Sequence, residues 1–232
     1  MRYSCLLLFF ISLSTWSQSN FERAQNYFNT QKYEQAKIIF EKLILVHPND
    51  LKSLEYLGDI QCNLQHWEAA IPYYQKLKKY QPSNAEYHYK YGGAMAMLAK
   101  KSNVFKALSM VNTIQDPFKK ALVLNPKHIG ARWALIEIYL QLPKVLGGSE
   151  EKAIGYAEEL ARLSIVDGYL SRGHIEEYFK RYANAEKQYL KAIEAGNSAT
   201  AYQKLADLYK NKMAQPEKAR QLLAAFNEKN KS

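Results

Sequence analysis

A spacing of 34 residues recurs in the first third of this chain, and it constrains the fold more than any other feature. Pro82 follows Pro48 by 34 residues, and Ala70 follows Ala36 by the same interval. An aromatic residue stands four positions after each of these alanines. An alanine lets two helices cross closely, an aromatic side chain fills the space beside the crossing, and a proline ends a helix because it has no backbone N–H. The spacing therefore predicts a repeated helix–turn–helix unit.

The stretch Leu51–Asn84 resembles one unit of the tetratricopeptide-repeat family, whose pattern is W-x2-L-G-x2-Y, then A-x3-F, then P. Leu54 stands in the place of the Trp, and Gln61 departs from the Tyr. The other positions match, with an aromatic Tyr for the Phe: Leu57, Gly58, Ala70, Tyr74 and Pro82. Because one such unit cannot bury its own apolar face, at least three must stack. The resemblance therefore implies an all-α fold, a right-handed α-solenoid of about six repeats.

The resemblance extends over nearly all of the chain after its first residues and predicts a single domain, residues 18–232. The helix–turn–helix repeats are expected at about 17–50, 51–84, 85–128, 129–165, 166–198 and 199–232. Asn84 and Ser149 are typical helix N-caps. The pair Gly196-Asn197 is a common helix ending, and it replaces the closing proline of the fifth repeat.

The third repeat carries an insertion, since its closing proline, Pro126, comes ten residues late. Apolar residues recur at helical spacing within residues 102–116. The pair Asp116-Pro117 is typical of a cap followed by a proline in the first helical turn. We therefore expect an extra helical segment near 102–116 and then a short helix over Pro117–Leu124; a single kinked helix is the alternative.

Residues 1–17 have the composition of a secretory signal peptide. Arg2 is followed by the apolar run Leu6–Leu13, and small residues stand at the −3 and −1 places before Gln18. The run is too short to span a bilayer, which requires about 20 apolar residues. We therefore expect an exported bacterial protein, periplasmic or secreted, with no membrane span after cleavage; an uncleaved anchor is the alternative.

The formal net charge of the chain is +10. A basic protein can bind nucleic acid or an anionic surface. The lysines, however, are dispersed over helix faces, as at Lys76, Lys78 and Lys79. We expect these lysines to be solvated, and we expect no nucleic-acid partner.

The sequence contains none of the motifs that would indicate an enzyme, and we expect no catalytic residue, cofactor or metal. The five histidines include no pair spaced as in a metalloprotease helix. His174 and Glu177 share a helix face, and we interpret them as a solvated pair. Cys62 is the only cysteine after residue 17, which excludes an internal disulfide in a cleaved chain. We expect it to be a small core or groove residue.

In this family, particular positions of the first helix of each repeat line a concave groove, and the resemblance implies the same here. The expected partner-binding groove consists of Glu55, Tyr56, Asp59, Asn63, Tyr89, Lys90, Trp133, Glu137, His174, Glu177 and Tyr178. This mixture of aromatic and charged side chains suits an extended peptide or a partner helix. For a single residue such as Trp133 or Tyr89, packing between neighbouring helices is the alternative.

The resemblance thus predicts a non-catalytic protein–protein interaction scaffold of the bacterial cell envelope. Some members of the family clamp a C-terminal carboxylate with a Lys and an Asn of the first repeat, where this chain has Phe21 and Gln25. We therefore expect no such clamp. The alternative function is an accessory subunit of an envelope enzyme or transporter that binds a glycan or another small ligand. Self-association through an end repeat is a third interpretation.

Overall fold

A computed structural model of the protein describes residues 19–229, and every regular element in that range is a helix. The prediction of an all-α fold is confirmed. The predicted signal peptide, residues 1–17, lies outside the described residues. Within the described range, no helix combines the length and the hydropathy that a membrane crossing requires. The chain divides into two compact units, one ending at Leu124 and the other beginning at Asn125.

The first unit contains seven helices in its described part, and consecutive helices pack against each other. The helices are α1 (19–29), α2 (Tyr33–Val46), α3 (Leu51–Asn63), α4 (Trp67–Tyr80), α5 (Ala85–Lys101), α6 (Val104–Ser109) and α7 (Val111–Leu124). Asp50 and Asn84 cap α3 and α5, because the side chain of each accepts a hydrogen bond from a backbone N–H of the first turn.

The core of the first unit is built from the alternation of small and large side chains that the sequence repeats. Ala36 and Phe40 of α2 are fully buried, and so is Ala70 of α4. Tyr74, one turn after Ala70, is only 2% exposed. These residues fill the contacts between each helix and the next, which is why the repeat period is visible in the sequence.

The inserted region of the first unit differs from the prediction in one respect. The extra helical segment exists as the short α6, but the expected start of the following helix at Pro117 is wrong. Helix α7 begins at Val111 and carries Pro117 in its interior. The physical reason is packing: a Cβ built on Gly92 would lie 3.1 Å from Pro117 and 3.0 Å from the Phe118 ring. Burial of Ile114, Phe118 and Ala121 on one stripe holds the helix together through the proline.

The second unit contains six α-helices in its described part, again packed in consecutive order. They are α8 (Ile129–Gln141), α9 (Glu150–Leu163), α10 (Ile165–Tyr178), α11 (Tyr182–Gly196), α12 (Ala199–Asn211) and α13 (Pro216–Lys229). Ser149 caps α9 as predicted, accepting a hydrogen bond from the N–H of Lys152 at 3.1 Å. Asn197 ends α11 with a left-handed backbone, φ 47°, a conformation that Asn adopts more readily than most residues.

Candidate functional site

In the first unit, an ion cluster joins two of the helices that were expected to line a groove. Lys90 on α5 donates to Glu55 on α3 at 2.6 Å and to both carboxylate oxygens of Asp59 at 2.9 and 2.7 Å. All three side chains are largely covered, with 20–29% of their surface exposed. Lys90 therefore fixes the spacing of α3 and α5.

The environment of Lys90 keeps its ammonium group charged. Burial lowers the pKa of Lys90, but the ion pairs and hydrogen bonds to Asp59 and Glu55 together outweigh burial, so that the pKa lies above its ordinary value. A lysine that acts as a base or nucleophile needs a lowered pKa instead. The arrangement is therefore suited to holding helices in place and to presenting charge.

A buried tyrosine is hydrogen-bonded to this ion cluster. The Tyr74 hydroxyl donates to Asp59 Oδ1 at 2.7 Å and lies 3.4 Å from the Cys62 sulfur. Burial, and after it the Asp59 charge, raises the pKa of Tyr74. Burial also raises the pKa of the Cys62 thiol, which lowers the fraction of reactive thiolate at neutral pH.

The aromatic residues of the first unit's expected groove are half-buried and pack against their neighbours. Tyr56 stacks on Phe40 with ring centroids 4.8 Å apart, and its hydroxyl accepts a hydrogen bond from Gln25 at 2.8 Å. Tyr89 packs edge-on against Phe118 at 5.8 Å. Asn63, in contrast, is exposed at the end of α3.

In the second unit, the corresponding helices α8 and α10 are joined by two polar contacts. The Trp133 indole N–H donates to Asp167 Oδ1 at 2.9 Å. His174 Nε2 lies 2.7 Å from Glu137 Oε2, and its ring centroid is 6.3 Å from that of Trp133. Trp133, Glu137 and His174, all predicted from the sequence, thus lie together with Asp167.

The expected pairing of His174 with Glu177 is not what the structure contains. His174 pairs with Glu137 on the neighbouring helix, whereas Glu177 accepts a hydrogen bond from the buried Tyr189 at 2.8 Å. Each of these two side chains of α10 thus has its partner on a neighbouring helix, α8 for His174 and α11 for Glu177. Tyr178, at the end of α10, is 45% exposed.

A pocket of about 300 Å³ opens beside this cluster in the second unit. Its lining contains apolar side chains, two hydroxyl groups and two opposite charges. The apolar residues are Trp133, Val166 and Leu170, the hydroxyl residues are Ser198 and Thr200, and the charged residues are Asp167 and Lys204. An apolar side chain or small ring would fit against the apolar residues, and the charges would orient its polar groups.

Sequence reasoning missed Asp167, Tyr74 and Tyr189 as members of these clusters. A signal exists for Asp167, which follows Trp133 by 34 residues, the repeat period. Polar pairs one repeat apart, on successive first helices, are therefore candidates for contact. Across the described residues, no group of three or more His, Cys, Asp and Glu side chains is arranged to hold a metal ion.

Comparison with family models gives two matches along the chain. The tetratricopeptide repeat model matches residues 18–50. A model of the plant-specific mitochondrial import receptor subunit TOM20 matches residues 63–163. No curated protein sequence matches the chain significantly.

Several solved structures share the fold at low sequence identity. The protein TTC0263 of Thermus thermophilus, a thermophilic TPR protein, has a TM-score of 0.66 and 17% identity, covering 83% of this chain and 98% of its own. PilW, described as a widely conserved type IV pilus biogenesis factor, has a TM-score of 0.64 and 16% identity over 91% of this chain and 92% of its own. YrrB, described as a TPR protein with an unusual peptide-binding site, has a TM-score of 0.53 and 14% identity, covering 78% of this chain and 87% of its own.

These likenesses establish that the chain has the tetratricopeptide-repeat fold, a stack of helix–turn–helix repeats. The match of the repeat model to residues 18–50 supports the same family.

Proposed function

We propose that this chain is a non-catalytic scaffold that binds another protein through the first helix of its repeats. The proposed binding surface of the first unit is the exposed side of α3 and α5, and that of the second unit is the exposed side of α8 and α10. The partner segment is an extended peptide or a helix, the two forms that repeat surfaces of this kind accept.

The observation that carries the proposal is the bracing of these surfaces by polar contacts between successive first helices. Lys90 joins α3 to α5, and Trp133 joins α8 to α10. Side chains held in advance lose little conformational freedom when a partner binds, which favours affinity. The peptide-binding site named for YrrB supports the same mode of action.

We further propose that the protein is exported and acts in the bacterial cell envelope, in the periplasm or after secretion. The composition of residues 1–17 supports export. The pilus-biogenesis role named for PilW supports an envelope assembly, because pili are built at the cell surface.

A crosslinked pull-down from envelope extract tests the scaffold, with residues 18–232 as bait. The test variant is Asn63→Arg/Tyr178→Ala, which changes the proposed surface of each unit at an exposed position. The matched control is Lys187→Ala/Leu190→Ala, two exposed positions of α11. Circular dichroism establishes that each bait is folded.

We expect one protein to be retained by the wild-type and control baits and reduced about tenfold or more by the test variant, the effect of losing one binding hot spot. Equal retention by all three baits would move the site away from these surfaces. Capture of nothing would favour a small ligand. Light scattering of the bait alone shows whether the captured protein is a second copy.

The pocket beside Trp133 favours a second candidate, an accessory subunit that binds a glycan or another small ligand. A sugar ring could lie on the apolar residues of the pocket while Asp167 and Lys204 bind its hydroxyl groups. Tryptophan fluorescence during titration with envelope oligosaccharides tests this candidate. A saturable change that Lys204→Ala weakens would support it, and no change with any oligosaccharide would exclude it.

A further inference from the structure

The second helices of the first unit carry a lysine at the same repeat position. Lys76 on α4 follows Lys42 on α2 by 34 residues, and Lys120 on α7 follows Lys76 by 44, the period plus the ten inserted residues. Each lysine lies in the C-terminal half of its helix. Equivalent positions of stacked repeats lie on one side of the stack. The three lysines therefore form a row.

Large apolar side chains lie exposed next to this row. Leu45 and Val123 occupy equivalent positions, three residues after Lys42 and Lys120, and are 79% and 73% exposed. Val46 and Tyr80, also equivalent, are exposed as well. We call this surface the basic edge: Lys42, Leu45, Val46, Lys76, Lys78, Lys79, Tyr80, Lys120 and Val123.

Contacts between neighbouring helices join the parts of the basic edge from α2 to α7. Lys76 Nζ donates to the carbonyl of Pro48 at 2.7 Å, which ties α4 to the turn after α2. The charges of Lys78 and Lys120 both act on His88 of α5. Burial lowers the pKa of His88, the hydrogen bond with the Pro82 carbonyl raises it, and the two lysine charges lower it further. Helix α5 packs against both α4 and α7.

Three lysines of the basic edge are not paired with any carboxylate in the described part of the chain. Lys42, Lys79 and Lys120 are exposed and make no hydrogen bond or ion pair with any described residue. Four acidic residues lie nearby: Asp50, whose carboxylate caps α3, Glu86 at the start of α5, Glu41 next to Lys42 in α2, and Asp116 one turn before Lys120 in α7. Lysines near a helix C-terminus also interact favourably with the helix dipole. That effect accounts for a lysine, but it leaves the exposed Leu45 and Val123 without a role.

We propose that the basic edge docks on an anionic phospholipid bilayer surface. Lysines near such a surface are attracted to its negative potential, and apolar side chains beside them enter the boundary between head groups and acyl chains. A nucleic acid would attract the lysines equally but would gain little from Leu45 and Val123. This surface belongs to the second helices of the repeats, so the proposal is independent of the scaffold function.

Vesicle co-sedimentation of the full chain tests the proposal. The vesicles contain phosphatidylglycerol and phosphatidylcholine, or phosphatidylcholine alone. The N-terminal apolar run is present in every variant, so the difference between the two vesicle types reports the charged surface. The charge variant is Lys42→Glu/Lys79→Glu/Lys120→Glu. A control with the same change in net charge is Lys144→Glu/Lys187→Glu/Lys210→Glu, three exposed lysines of the second unit.

We expect the wild type to prefer anionic vesicles, and the charge variant to lose about a hundredfold in partitioning, about fivefold for each lysine. The control should keep most of the preference. Leu45→Ser/Val123→Ser, which leaves the net charge unchanged, should weaken partitioning about tenfold. The absence of an anionic preference, an equal loss in the control, or binding to duplex DNA without binding to vesicles would each overturn the proposal.

Discussion

At the scale of single residues, the contact between a glycine and a tyrosine one helix later recurs in both units. A Cβ built on Gly58 would lie 2.6 Å from the ring of Tyr74, and one on Gly173 would lie 2.4 Å from the ring of Tyr189. Each tyrosine ring is buried, and each hydroxyl is bonded to a carboxylate. The ring has no room to move away, so these positions require glycine.

We predict that Gly173→Ala lowers the free energy of unfolding by about 1–3 kcal/mol, the usual cost of overpacking a core. Urea denaturation followed by circular dichroism measures the effect. The control is Gly155→Ala in α9, where an added Cβ meets nothing within 4 Å. The free energy of unfolding of this control should rise by about 0.5–1 kcal/mol, because alanine has a higher helix propensity than glycine. Equal stability of the two variants would contradict the proposed contact.

The repeat pattern of the sequence predicted Gly58 and Tyr74, but it did not predict the polar partner of either tyrosine. Asp59 and Glu177, which accept from Tyr74 and Tyr189, stand at different repeat positions. A carboxylate on either position can reach the hydroxyl, and the choice depends on side-chain torsions. Periodicity specifies which residues are buried, and it leaves such choices open.

At the scale of helices, one carboxylate joins the last three elements of the second unit. Glu186 on α11 accepts hydrogen bonds from Tyr209 on α12 and from Lys218 on α13, both at 2.7 Å. The bond from Lys218, followed by that from Tyr209, lowers the pKa of Glu186. Helix α13 buries only Ala219 among its described residues, and this polar contact adds to the packing of its half-buried Leu222, Leu223 and Phe226.

We predict that Glu186→Gln lowers the free energy of unfolding by about 0.5–1 kcal/mol at pH 7, a modest value because Lys218 is half exposed. The folded-state pKa of Glu186 is lowered, so its contribution is fully present above the unfolded pKa, about 4.3. It is lost as the pH falls through the folded-state pKa.

Denaturation curves at pH 7 and at pH 3 check this prediction. The difference in the free energy of unfolding between the wild type and Glu186→Gln should be about 0.5–1 kcal/mol at pH 7 and smaller at pH 3. Glu228→Gln, an exposed carboxylate in α13, should match the wild type at both values. A difference that persists unchanged at pH 3 would show that the charge of Glu186 is not its source.

Helix type was predictable throughout, whereas one helix boundary was not. Asp116-Pro117 has the local pattern of a helix start, yet α7 begins at Val111. The missing side chain of Gly92 makes room for Pro117 and Phe118, a contact between residues far apart in the sequence. Local rules cannot include such a contact. Capping at Asn84 and Ser149, which depends on neighbouring residues alone, was predicted correctly.

At the scale of the whole molecule, burial is unevenly distributed among the helices. Helices α3 and α12 each contain six buried residues. Helix α13 contains one, and none of the described side chains of α6 is buried. The free energy of local opening follows the apolar contacts that must be broken. Among the described helices, the inserted α6 and the last helix α13 should therefore be among the least stable.

We predict that amide hydrogen exchange, measured by mass spectrometry on peptides, is at least about a hundredfold faster in α6 and the last turn of α13 than in α3 and α12. Helix α5 is the internal control, because it precedes α6 in the chain and contains four buried residues. Protection of α6 equal to that of α5 would contradict the burial pattern and would indicate that another molecule covers the exposed Phe105. Repeating the measurement at two protein concentrations distinguishes a second copy, whose protection rises with concentration, from a stability intrinsic to the chain.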